Sequence, residues 1–124
     1  MVKEICLDSD IMISFLKKDD KAVAILQSFE ADYYTTVINI FEIWYGKKKV
    51  EPIPELLEWI NILDLEKESA ILAAEILIKL RKIGQIIEYR DAFVAGICIA
   101  NNIPLLTFNK KHFSRLKKFG LKLV

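Results

Sequence analysis

Three features of this 124-residue sequence predict an α/β domain with a parallel sheet and helices on both of its faces. Short apolar stretches alternate with segments of helical periodicity, the pattern of strands joined by right-handed crossovers. Hydrophobic residues make up 53% of the chain, an excess that a sheet buried on both faces explains, alone or together with a surface that a partner covers. The length suits one domain, residues 1–124, and no repeat, low-complexity tract or linker divides it. With 4 Gly and 3 Pro the chain is neither collagen-like nor linker-like, and its apolar content excludes disorder. A core of this size folds without a disulfide or a structural metal.

The elements follow in order. Val2–Leu7 is a short apolar strand ending at Asp8-Ser9-Asp10, and helix continues from there to Phe15. Lys17–Asp20 is a polar break, after which Val23, Ile25, Leu26 and Phe29 mark a helix over Ala22–Phe29. Tyr33–Thr36, aromatic and β-branched throughout, is the second strand. Thr36 is placed to cap a helix from Val37 to Tyr45, with Gly46 as its stop. Pro52 or Pro54 opens a helix toward Ile60, and Ile62–Leu65 makes a brief third strand. Glu66–Ile83 is the longest periodic segment, with Ile71, Ala74, Leu77 and Ile78 at helical spacing and Gly84 after it. A last long helix spans Tyr89 to Ala100 and stops before Asn101-Asn102. Pro104–Thr107 and Leu121–Val124 complete the strands.

Cys6 and Cys98 lie far apart in apolar stretches, with no C-x-x-C or Cys/His cluster, so zinc and redox chemistry are not indicated. Reduced core thiols, charges in the N-terminal MVKEICLD and the lack of an 18-residue apolar run suggest a cytoplasmic protein with no membrane partner. Net charge is +1, unevenly spread: all 17 acids precede Ala92, whereas six basic side chains and no acid follow Asp91. Lys47-Lys48-Lys49 forms a second basic knot. Such clusters are either solvated surface or a rim that holds a polyanion near an acidic patch.

Ligands of open α/β sheets collect at the carboxyl ends of the strands, and four polar residues are expected there. Asp8 follows the first strand, Asp91 lies in the first turn of its helix, Asn109 stands just past Thr107, and Glu42 is the single charge between Val37 and Tyr45. Plainer roles exist: Asp8 or Asp10 as a helix cap, Asp91 as complement to a helix dipole. Glu42 is flanked by apolar residues on both sides, where an unpaired charge costs several kcal/mol, and no Lys or Arg of its own helix is near before Lys47. The helix AFVAGICIA has no polar face, and Gly96 would let it approach its neighbour closely. Three crowded carboxylates repel, and a divalent ion relieves them. Oxygen donors without His or Cys suit Mg²⁺ or Mn²⁺.

LDSDIMISFL, Glu42 within VINIFEIWYG, YRDAFVAGICIANN and LLTFNKKHF together resemble the four motifs of the PIN-domain ribonucleases, nearest the single-domain VapC-type toxins of prokaryotic toxin–antitoxin pairs. The resemblance runs over essentially the whole chain. It implies a three-layer fold with about five parallel strands and an acidic pocket that binds Mg²⁺ or Mn²⁺ and cleaves single-stranded RNA. By position, Asp8, Glu42 and Asp91 match the family's typical acids, and Asn109 matches a fourth position that is often Asp. Ser9 and Thr107 match the usual hydroxyls, whereas Asp10 departs from the commoner Asn, Ser or Thr and is left as ligand, cap or solvent-facing group. The resemblance further implies a homodimer and an antitoxin peptide lying across the groove.

The expected chemistry is phosphodiester hydrolysis by metal-activated water. Asp8 and Asp91 would hold the ion directly, and Glu42 would bind it through water or orient the nucleophile. Asn109, Ser9 and Thr107 would position ligands or phosphate. Asn109 adds an oxygen without a charge, so one tightly held ion is expected before RNA binds. Lys110, Lys111 and Arg115 would hold flanking phosphates. Glu88 reads as a neighbour of the helix cap rather than an outer carboxylate, and His112 as a surface or capping residue, with phosphate contact the alternative. Core packing is the first expectation for Phe41, Trp44, Tyr45 and Trp59, a partner-covered face the second. The rival function is an inactive PIN-like module that binds RNA or protein. A phosphoacceptor receiver domain fits poorly, because no Lys follows a fifth strand.

Overall fold

The computed structural model describes residues 2–46 and 52–124, so the Lys47-Lys48-Lys49 knot lies outside the described residues. In chain order the elements are β1 (Lys3–Leu7), α1 (Ser9–Leu16), α2 (Asp20–Gln27), β2 (Ala31–Thr36), α3 (Val37–Gly46), α4 (Pro52–Leu57), β3 (Asn61–Leu63), α5 (Lys67–Lys82), α6 (Tyr89–Asn101), β4 (Leu105–Leu106) and α7 (Lys110–Phe113). A 3₁₀ turn over Ser114–Phe119 follows. The four strands form one parallel sheet in the order β3-β2-β1-β4.

Side-chain alternation along β1 divides the core into two layers. Cys6 points to the layer built on α5 and α6, with Ala73, Ile76, Leu80, Val94 and Cys98. Ile5 and Leu7 point to the opposite layer, with Ile11, Met12, Leu26, Ile43 and Ile53. Both cysteines are free and buried. A hydrogen bond with Cys98, reinforced by burial, pushes the Cys6 thiol well above its ordinary pKa and keeps it inert.

Two expectations change here. The segment Leu121–Val124 contributes a single parallel bridge, Leu105↔Leu123, in place of a full strand. The cause is the brevity of β4: of its two residues only Leu105 faces the segment, its N–H donating to Lys122 O and its C=O accepting from Val124 N–H. On α5 the buried stripe is Ser69, Ala73, Ile76 and Leu80, while Ile71 and Ile78 are exposed. The first half of that stripe is small, Ser69 and Ala73, where α6 comes closest. A Cβ on Gly96 would stand 2.5 Å from the carbonyl oxygen of Ser69 and 3.3 Å from the backbone nitrogen of Ala73.

The aromatic residues of α3 also depart from core packing. Only Asn39 and Ile43 of this helix are buried, because it meets the rest of the fold along one stripe and leaves its other apolar side chains outside. Phe41 and Tyr45 stack at 5.6 Å with Tyr45 85% exposed, and Trp44 is exposed beside them. Trp59 is also exposed, although its ring packs edge-on against Phe15 and Tyr33.

Candidate active site

The carboxyl end of β1 feeds directly into α1, and this junction sets the first acid. Asp8 is the N-cap of α1, its Oδ1 accepting from Ser9 N at 2.8 Å. The plain capping role and the pocket role therefore coincide in one side chain. β4 lies on one side of β1, so Thr107 meets the same carboxylate and donates to Asp8 Oδ2 at 2.7 Å. β2 lies on the other side and leads into α3 through Thr36, whose Oγ1 accepts from Asn39 N at 3.1 Å as the cap expected of it. That cap turns Asn39 inward, and its Nδ2 donates to Asp8 Oδ1 at 3.0 Å and to Ser9 Oγ at 2.9 Å. Ser9 Oγ in turn donates to Glu42 Oε1 at 2.6 Å.

Asp91 enters from the first turn of α6, buried as its apolar helix requires. Glu88 is the N-cap residue of α6 and makes no side-chain capping bond. The three acids expected to converge do so, but around a further side chain, Arg90. The Arg90 guanidinium donates from Nε to Glu42 Oε2 at 2.7 Å, from Nη1 to Asp91 Oδ1 at 2.5 Å and from Nη2 to Asp8 Oδ1 at 2.6 Å. Nη2 also lies 2.6 Å from Glu42 Oε1. Burial opposes its charge, but Glu42, Asp8 and Asp91 together raise its pKa well above the ordinary arginine value. The cation that Glu42 requires thus arrives from a helix 48 residues away in sequence.

His112 corrects a second expectation. Rather than lying on the surface or capping a helix, its Nε2 sits 2.7 Å from Asp91 Oδ2, and Arg115 Nη2 lies 3.0 Å from its Nδ1. Arg115, expected at the phosphate rim, also donates to backbone oxygens of His112 and Ile86. Lys110 and Lys111 are exposed. Asn109 lines the cleft, and its described hydrogen bond is through the backbone, its N–H donating to Thr107 Oγ1 at 3.0 Å. Asp10 turns toward the pocket instead of solvent: its Oδ2 accepts from Phe108 N at 3.1 Å and lies 3.3 Å from Thr107 Oγ1. Its Oδ1 is buried without a partner among the described residues. Burial, then the charge of Asp8, raises the Asp10 pKa against the pull of those hydrogen bonds.

A cleft of about 530 Å³ opens beside these groups, lined by Glu42, Ile86, Glu88, Arg90, Asp91 and His112 among others. Among the described residues no three acids or histidines already stand at metal-coordinating spacing, because the guanidinium separates the carboxylates. The donor set nonetheless fits a hard divalent ion: three carboxylates from three helix starts or faces, each fixed from behind by Asn39, Thr107, Ser9 or His112. Asn39 was legible as the other polar side chain of VINIFEIWYG, three residues before Glu42, and Arg90 as the immediate neighbour of Asp91.

A parallel α/β sheet with acids clustered at its carboxyl edge is the arrangement of the PIN-domain class. Residues 5–119 match the PIN domain family model, and the chain belongs to that family. It is 32% identical to Ribonuclease VapC1 of Methanocaldococcus jannaschii, over 97% of this chain and 86% of that protein. Its fold resembles VapBC2 from Rickettsia felis bound to a DNA fragment from their promoter, with a TM-score of 0.85, 25% identity, and 98% and 97% of the two chains covered. It also resembles VapBC-1 from nontypeable Haemophilus influenzae, with a TM-score of 0.80, 23% identity, and 98% and 96% covered. No described helix is long and apolar enough to cross a membrane.

Proposed function

We infer that this protein is a Mg²⁺- or Mn²⁺-dependent endoribonuclease and the toxin half of a VapBC-type toxin–antitoxin pair, working in the cytoplasm. The observation that carries the reading is the convergence of Asp8, Glu42 and Asp91 on a single cationic centre from β1, α3 and α6. Kinship to Ribonuclease VapC1 and to the VapBC assemblies supports the substrate and the partner.

Asp8 and Asp91 would hold the ion, with Glu42 beside them. The ion supplies Lewis acidity, acidifying water and offsetting charge as the phosphodiester is cleaved. The chain's own residues do the rest. Asn39, Ser9 N–H and Thr107 fix both oxygens of Asp8, and the Ser9 hydroxyl fixes Glu42. His112 occupies one oxygen of Asp91 and leaves the other facing the centre. Asn109 stands at the cleft wall, where its amide can meet the substrate. Asp10, one bond from Thr107, adds negative charge behind Asp8. Lys110 and Lys111, exposed at the start of α7, extend the cleft as a basic rim for flanking phosphates. Arg115 serves this rim indirectly, by holding His112. The stacked Phe41 and Tyr45 and the exposed Trp44 form an apolar face suited to a second copy of the chain or to the antitoxin.

The test is cleavage of single-stranded RNA with and without Mg²⁺ or Mn²⁺, in the native chain and in Asp8→Asn. Metal-dependent cleavage that falls at least about 100-fold in the variant, with its circular dichroism unchanged, is the expected result. Cleavage that persists in chelator, or undiminished in Asp8→Asn, overturns the reading. RNA binding without cleavage in the native chain would favour the inactive module.

A further inference from the structure

The guanidinium of Arg90 and a divalent ion compete for the same lone pairs. Nη2 is shared between Asp8 Oδ1 and Glu42 Oε1, each at 2.6 Å, while Nη1 takes Asp91 Oδ1. These are the oxygens that face the guanidinium: Asp8 Oδ1, which also accepts from Ser9 N and Asn39 Nδ2, and Asp91 Oδ1, while Asp8 Oδ2 takes Thr107 and Asp91 Oδ2 faces His112. Arg90 and a directly bound ion therefore cannot occupy the centre together. The fork geometry is specific to arginine: three N–H groups address three carboxylates at once, which a lysine point charge does not do. One positive charge against three negative ones leaves the cup anionic and still attractive to a divalent ion.

The side chain has a way out. It borders the cleft, is 22% exposed, and springs from the first turn of α6, directly after the irregular stretch 85–88. We propose that Arg90 is a built-in counterion that holds the three acids in register in the metal-free protein and must vacate their inner oxygens before a divalent ion can bind. The proposal rests on the metal-nuclease reading above and deepens it. Metal affinity becomes that of an exchange, lower than three preassembled carboxylates would give. An anionic phosphate in the cleft accepts the released guanidinium, so RNA and metal favour each other's binding by the same factor. Arg90 is in this sense a positioning residue for the reaction.

Titration calorimetry with Mn²⁺ alone, on the full chain and without RNA, separates the possibilities for the native protein, Arg90→Gln and Asp8→Asn. Arg90→Gln is expected to bind Mn²⁺ roughly 10- to 100-fold more tightly, to melt at lower temperature without metal, and to gain more on adding Mn²⁺ than the native chain does. A merely architectural Arg90 would move affinity the other way, because a disordered cup binds metal worse. Equal or weaker binding by Arg90→Gln, with Asp8→Asn weaker than native, overturns the counterion and leaves the metal reading standing. Absence of Mn²⁺ binding in all three proteins overturns both. Should Arg90→Gln fail to fold, the Arg90 Nε–H resonance of the native protein decides: its signal shifts at saturating Mg²⁺ if the guanidinium leaves Glu42, and an unmoved signal refutes the exchange.

Discussion

Replacing Gly96 by alanine inserts one methyl group between α6 and α5 and tests the close approach that delivers Asp91 to the site. The added Cβ would lie 2.5 Å from the Ser69 carbonyl oxygen, a backbone atom that cannot rotate away, and 3.3 Å from the Ala73 nitrogen. The helices must separate by several tenths of an ångström, and overpacking of this kind costs about 1–3 kcal/mol. The rigid partner argues for the upper end. Alanine returns roughly 1 kcal/mol through its better helix propensity, which leaves a net loss of about 2 kcal/mol. For a chain of this size that is a fall in Tm of roughly 6–10 °C. Thermal unfolding followed by circular dichroism measures it. Because Arg90 and Asp91 begin the same helix, Mn²⁺ affinity should weaken as well. An unchanged or higher Tm would show that the α5–α6 spacing is slack and that the glycine is incidental.

Asp10→Asn should stabilise the protein at neutral pH by about 1 kcal/mol, because it removes a charge that burial and Asp8 disfavour while keeping an oxygen for Phe108 N. The sign follows from the raised pKa. The folded state carries the penalty above that pKa, loses it as pH falls through it, and is free of it below the unfolded value of 3.8. The two chains should therefore converge in stability toward pH 4, and a constant difference across chemical denaturations from pH 4 to 7 would refute the assignment. Lys110→Ala with Lys111→Ala should weaken RNA binding and lower the slope of log affinity against log salt by about 0.7 for each phosphate no longer neutralised, with Mn²⁺ affinity unchanged. An unaltered salt slope in filter-binding or anisotropy titrations removes both lysines from the RNA path.

The fold was legible because its strands are short and separated by clear helical periods, and because Thr36 caps α3 locally. Local chemistry also marks Asp8, at the end of an apolar strand, and Asp91, at the start of an apolar helix. What the sequence hid depends on distance. Arg90 looks like an exposed helix-start cation until α3 brings Glu42 against it, and His112 looks peripheral until α7 folds over Asp91. Which stripe of α5 is buried depends on distance in the same way. Ile71, Ala74, Leu77 and Ile78 recur at helical spacing, yet the buried stripe is set by α6, whose Gly96 lies against Ser69 and Ala73.

The position of β1 in the middle of the sheet bears on the order of events during synthesis. This strand is made before the other described elements, yet one of its two neighbours is β4, and Asp8 meets Thr107 across 99 residues. Helices α1 and α2 can form early, but the anionic centre lacks Asp91, Thr107 and His112 until translation has passed residue 112. The site is therefore assembled only after residues 91, 107 and 112 have been added to a chain that already carries Asp8 and Glu42.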